Sequence, residues 1–107
     1  MQKTGRLELT WVGKYDEKVI EPRILLEDQS KSYGDLSSGN MLIHGDNLIA
    51  LQALQQDFAG KIKCIYIDPP YNTGSAFEYY DDGLEHSEWL QMIYPRVQLL
   101  HELLADD

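Results

Sequence analysis

Cysteine is almost missing from this chain of 107 residues, since Cys64 stands alone. No intrachain disulfide can form, and a metal cage built on thiolates is excluded. Basic side chains are also scarce, at 9 Lys and Arg against 18 Asp and Glu, for a formal net charge of −9. That is the wrong sign for a surface that grips phosphates. The deficit is uneven: residues 1 to 24 hold five basic and four acidic side chains, whereas residues 25 to 107 hold four and fourteen. No apolar run approaches the ~20 residues of a membrane span, and the first residues lack the charged-then-apolar layout of a signal peptide. A cytoplasmic chain without membrane attachment is expected. The sequence contains no Gly-x-Gly-x-x-Gly, no Walker-type loop and no Ser-His-Asp order, so phosphate cradling and nucleophilic hydrolysis find no support. His44, His86 and His101 have no Cys or His partners at metal-ligand spacing, and no metal is expected.

What is present is a folding chain. Hydrophobic content is 43%, with two Trp and seven Tyr, well above the range of disordered segments. The length suffices for one small domain with a modest core.

Arg6 to Val12 alternates apolar and polar positions, the period of a half-buried strand, and Gly13 ends it. Ile24-Leu25-Leu26 is a second strand candidate, demoted to an edge by Pro22. Glu27 to Gly39 is polar and rich in Ser, Asp and Gly, which reads as a linker and places a boundary near residue 40. The expected organisation is therefore an extension and linker over 1–40 followed by a second unit over 41–107. Met41 to His44 reads as a short buried strand. Gly45-Asp46-Asn47 then opens a helix whose stripe is Leu48, Leu51, Ala53, Leu54 and Phe58, with Asp46 or Asn47 as N-cap and Gly60 as terminator. Ile62 to Ile67 is the next predicted strand, with Cys64 a buried inert thiol inside it. Strand, helix and strand together make a unit of the kind that builds parallel sheets. Residues 72 to 85 read as a loop carrying Phe77, Tyr79 and Tyr80. From Ser87, taken as a cap, Trp89, Leu90, Ile93, Val97, Leu100, Leu103 and Leu104 recur at helical spacing, and Pro95 is expected to kink that helix.

The most informative stretch is Asp68-Pro69-Pro70-Tyr71. Two prolines fix φ and give up their N–H groups, so the segment cannot continue a sheet and presents carbonyl oxygens outward. An acid, free carbonyls and an aromatic face suit a planar group bearing an exocyclic amine, such as a nucleobase. Asp68 and the Pro69 carbonyl would accept from the NH2 and stabilise the positive charge that develops as the nitrogen is methylated. The base would first have to leave the duplex stack, and Tyr71 would offer a replacement platform. Taken by itself, the same tetrapeptide also reads as a stiff turn with Asp68 bonding nearby N–H groups.

Asp68-Pro69-Pro70-Tyr71-Asn72-Thr73-Gly74 resembles motif IV of the amino-methylating DNA methyltransferases, particularly the adenine-N6 enzymes. The stretch from Met41-Leu42-Ile43-His44-Gly45-Asp46-Asn47 through Phe58-Ala59-Gly60-Lys61 to Gly74 further resembles the modification subunits of type III restriction systems. The resemblance implies an α/β fold, a partial Rossmann-like S-adenosylmethionine-dependent sheet preceded by a β extension. It implies an adenine-N6 DNA methyltransferase of restriction-modification type, with catalytic Asp68, Pro69, Pro70 and Tyr71. In the family an aspartate at the first position goes mostly with adenine. Asp46 lies where the family places a Gly-Asp beside the S-adenosylmethionine pocket, although helix capping explains the residue equally well. Asn72 could order the loop around base or cofactor, against a plain polar turn as the alternative.

One departure from the family pattern stands out. The aromatic followed by Gly-x-Gly of the cofactor motif is absent from the 107 residues, so the cofactor pocket is expected to be incomplete and the chain inactive alone, as an amino-terminal fragment of permuted motif order. Double-stranded DNA would be gripped by regions outside the chain. A restriction subunit and a second copy are the other partners the resemblance implies. Two further readings remain: a non-catalytic interaction module using the apolar helix faces or the Arg6 to Val12 strand, and a methyltransferase acting on RNA or on a protein amide.

Overall fold

In the computed structural model, residues 5–70 and 82–107 are described, with the side chains of 82–85 set aside. Two helices organise them: α1, Asn47–Phe58, and α2, Asp82–Leu103. Two single-turn 3-10 helices, Gln29–Lys31 and Leu36–Ser38, precede them.

α1 begins where an acceptor meets orphan amides. Asp46 has extended backbone angles, and its Oδ1 accepts from the Leu48 N–H at 2.9 Å, which satisfies a donor that the first turn cannot use internally. The helix closes at Ala59, and Gly60 follows at φ 72°, the left-handed conformation that glycine adopts without Cβ strain. α2 is longer than its apolar stripe implies. It starts at Asp82 rather than Ser87 and runs through Pro95, which has no N–H to offer the Gln91 carbonyl one turn back. Ser87 is therefore an interior helical residue, 7% exposed, and not a cap.

The helices pack on each other. Leu48 of α1 and Leu99 and Leu103 of α2 are the buried apolar side chains among the described residues. Gln55 of α1 donates to the Leu99 carbonyl at 2.9 Å. After α1 the chain is pinned to the end of α2 by three backbone bonds: Gly60 N–H to the Glu102 carbonyl at 3.0 Å, Ile62 N–H to the Leu103 carbonyl at 2.9 Å, and Ala105 N–H to the Ile62 carbonyl at 2.8 Å. The last two form one isolated parallel bridge, Ile62 to Leu104.

No strand forms among the described residues, which overturns the α/β sheet and the amino-terminal β extension. The stretches expected as strands, Arg6 to Val12, Ile24 to Leu26, Met41 to His44 and Ile62 to Ile67, show no ladder. Leu7, Leu42 and Tyr66 are 102%, 99% and 92% exposed. Cys64, expected to be buried, is exposed. The physical reason is that a strand is a property of pairs: its backbone donors and acceptors need a neighbour, and an apolar run without one stays an extended, solvated segment. The radius of gyration, 17.9 Å, against roughly 13 Å for a compact domain of this length, reflects the same lack of closure.

The amino-terminal segment docks through a turn. Trp11 donates from its indole to Gln91 Oε1 at 2.6 Å and meets Tyr94 edge-on, with centroids 5.0 Å apart at 82°. The Val12 N–H reaches Ser87 Oγ at 3.4 Å. Gly13 sits at φ 88°, a left-handed backbone that favours glycine, and a Cβ there would lie 2.8 Å from Gln91 Nε2 and displace that side chain. A Trp in place of a strand residue thus anchors 11–14 to the middle of α2.

Candidate functional site

Asp68-Pro69-Pro70 ends the extended segment that leaves the Ile62 bridge. Asp68 and Pro70 are exposed and Pro69 is half-buried. Among the described residues, no hydrogen bond reaches the Asp68 carboxylate or the Pro69 carbonyl. The Pro70 carbonyl, by contrast, accepts from the indole Nε1 of Trp89 at 2.6 Å, shorter than the usual 2.9–3.0 Å of an N–H to oxygen bond. Of the two proline carbonyls, one is held, and the other has no partner among the described residues. Tyr71 and Asn72 lie outside the described residues, as do Thr73, Gly74, Phe77, Tyr79 and Tyr80.

Asp46 caps α1 and also faces α2. Arg96 Nη2 lies 3.6 Å from the same Oδ1 that caps Leu48, while Arg96 Nε donates to Asn47 Oδ1 at 2.6 Å and Nη1 to the Met92 carbonyl at 2.6 Å. Asp46 Oδ2 has no partner among the described residues and its side chain is 57% exposed, so one carboxylate oxygen is free to accept from a hydroxyl or amine. The capping reading of Asp46 is thus realised without consuming the group.

α2 is the element common to both stretches. Trp89 holds the proline motif and Arg96 holds the Gly-Asp-Asn turn; the two stand seven positions apart, about 20° from alignment on an ideal helix. One face of α2 therefore carries both attachments. Sequence reasoning assigned Trp89 to the apolar stripe and passed over Arg96. The signal was available: at heptad spacing sit the single Arg of the carboxyl half and an indole with a donor that needs a partner.

A cleft lined by residues 14–20 and by Gln91, Tyr94, Pro95, Gln98, Leu99 and Glu102 lies elsewhere and includes none of these groups. Among the described residues, no group of three or more His, Cys, Asp or Glu is arranged to hold a metal. Among the described residues, no helix is long and apolar enough to cross a membrane.

Residues 62–107 match the family model described as DNA methylase. The chain is 52% identical over 68 residues to the "Probable type III restriction-modification enzyme HindVI Mod subunit" of Haemophilus influenzae, covering 64% of the chain and 9% of that protein. It is 36% identical to the EcoPI Mod subunit of Escherichia phage P1, over 92% of the chain and 21% of that protein. It is 38% identical to the type II methyltransferase M.KpnI of Klebsiella pneumoniae, over 74% of the chain and 21% of that protein. The chain thus spans about a fifth or less of the length of these relatives. No solved structure matches. Asp68-Pro69-Pro70 falls inside the segment, residues 62–107, that matches the DNA methylase model, and the chain is similar in sequence to type III modification subunits over 64% and 92% of its length.

Proposed function

We propose that this chain contributes the base-holding part of an S-adenosylmethionine-dependent adenine-N6 DNA methyltransferase of restriction-modification type. What supports the reading is an exposed carboxylate at Asp68 next in sequence to a Pro69 carbonyl that has no partner among the described residues, within the segment that matches the DNA methylase model. Asp68 and the Pro69 carbonyl accept the two hydrogens of the target amine, drawing its lone pair out of conjugation with the ring and stabilising the charge that develops on nitrogen. Pro70 keeps the backbone in shape, and Tyr71 stacks on the extruded base. No separate base is required, since the amine sheds its proton after the methyl has arrived; positioning and charge placement do the chemistry.

S-adenosylmethionine, when bound, supplies an electrophilic methyl group. The chain's own fit to it is limited: Oδ2 of Asp46, without a partner among the described residues, suits a hydroxyl or amine of an adenosyl group and Asn72 would order the adjoining loop, but the cleft lined by residues 14–20 and α2 does not include Asp46. The pocket needs walls that the described residues do not supply. In this reading residues 1–40 form an extension and 41–107 the catalytic part. With residues 25–107 strongly acidic, double-stranded DNA is gripped by a basic region elsewhere in the assembly, in the cytoplasm, with a restriction subunit and a second copy as candidate partners.

The test is adenine-N6 methylation by the polypeptide expressed from its own gene, read by mass spectrometry of digested DNA. Asp68→Ala is expected to lower the rate at least ~100-fold while leaving S-adenosylmethionine binding within about twofold. Undiminished N6-methyladenine in the variant would sink the assignment.

A further inference from the structure

We infer that Trp89 is a positioning residue for the Asp68-Pro69-Pro70 motif, deciding which carbonyl of the proline pair is left free; the inference rests on the proposed base-holding role of that motif.

Proline lacks the N–H through which a strand end is normally tied to its neighbour, so two consecutive prolines leave a segment that can be held at those positions only through its carbonyls. The described structure holds it by other means. The Trp89 indole, half-buried on α2, donates to the Pro70 carbonyl at 2.6 Å across nineteen residues of sequence. Indole Nε1–H is a donor with no acceptor capacity, so the contact is unambiguous in direction. It removes Pro70 from competition for an incoming amine and leaves Asp68 and the Pro69 carbonyl as the acceptor pair. It also ties the motif to a helix that is itself tied elsewhere: Arg96 to the α1 cap two turns on, and Ser87 and Gln91 to the 11–14 turn. Asp68 lies two residues from the anchored carbonyl, within reach of a displacement of the order of 1 Å if the anchor is lost, enough to matter for an aligned acceptor pair.

The test uses the polypeptide expressed from its own gene, with position 89 carrying Phe, the sulfur isostere benzothienylalanine, which keeps the bicyclic shape without the N–H, or 7-azatryptophan, which keeps the N–H. The isostere is expected to lower kcat for DNA methylation about five- to tenfold, the equivalent of one neutral hydrogen bond. KM for S-adenosylmethionine should be unchanged, the azatryptophan protein should stay within twofold of wild type, and Trp89→Phe should do no better than the isostere. Selective 15N labelling of indole, with the Trp89 resonance assigned as the one missing in Trp89→Phe, gives a readout independent of activity: the Trp89 Nε1 proton should resonate downfield and exchange at least tenfold more slowly than that of a solvated indole. An isostere with wild-type kcat, or a Trp89 proton that exchanges like a free one, overturns the inference. The result is separable from the failure of the methyl-transfer reading, because the indole resonance reports the anchor even if Asp68→Ala leaves methylation untouched.

Discussion

The α1–α2 pair and the two extended stretches that approach it, 41–46 and 62–70, are comparably apolar in sequence, yet they end in opposite states. Leu48, Leu99 and Leu103 are buried between helices, whereas Leu42, Tyr66 and Ile67 are 99%, 92% and 47% exposed. A helix satisfies its backbone within itself and needs only one neighbour for its apolar stripe. An extended segment needs partners for its backbone as well as its side chains. The proposed site lies on the second kind of segment and is held by the first, through Trp89 and Arg96. A loop that must admit a ligand keeps its acceptors uncommitted, and a helix lends it the rigidity it lacks.

The comparison can be broken by measurement. If the energy lies in the helix pair, Leu103→Ala should destabilise it by about 2–5 kcal/mol, while Leu42→Ala should stay within about 0.5 kcal/mol; amide hydrogen exchange of α1 and α2 reads both. Equal costs would mean that residues 41–44 are packed. Next in size is Gly13→Ala, which meets the left-handed penalty of about 1–2 kcal/mol and a contact at 2.8 Å with Gln91. It should free the Trp11 indole, visible as a loss of the Trp11–Tyr94 ring-current shift, with α1 unaffected. Asp46→Ala removes the α1 cap and should cost about 1 kcal/mol, whereas Asp46→Asn should recover most of it; a failure of Asn to do so would assign the effect to Arg96 rather than to the cap.

The smallest effect is expected at Asp35, in the 3-10 turn before α1. Hydrogen bonds from the Ser37 hydroxyl at 2.7 Å and the Ser37 N–H at 2.9 Å hold its carboxyl below the ordinary value of 3.8. A depressed folded-state value means that the turn is fully supported above that ordinary value and loses support as pH falls through the lower one. An NMR titration of the Ser37 amide should show the change below pH 3.8, and Asp35→Asn should remove it; an unshifted midpoint would mean that the turn is not formed.

Much of α1 was legible, because capping and termination are local: Asp46 ahead of Leu48, and Gly60 after Ala59, act within a turn of their own positions. The Asp68-Pro69-Pro70 motif was legible for the same reason, since proline geometry is intrinsic. The length of α2 was less so. Ser87 looked like a cap because Ser caps well, but its hydroxyl accepts from the Val12 N–H of a segment 75 residues away, which no local pattern encodes. Alternation over Arg6 to Val12 suggested a strand, and instead Trp11 found Gln91 and Tyr94.

The order of residues settled the helix start at Asp46, the stop at Gly60, the stiff acceptor motif at 68–70 and the acidic balance, all consequences of side-chain chemistry acting over a few residues. Tertiary packing alone decided that the apolar stretches 41–44 and 62–67 form no strand and stay largely exposed, with Ile43, Ile62 and Ile65 half-buried, that Trp89 takes the Pro70 carbonyl, and that Arg96 takes the α1 cap. Those outcomes depend on which groups lie opposite one another across dozens of residues, and a hydrogen bond or a strand exists only once both partners are in place.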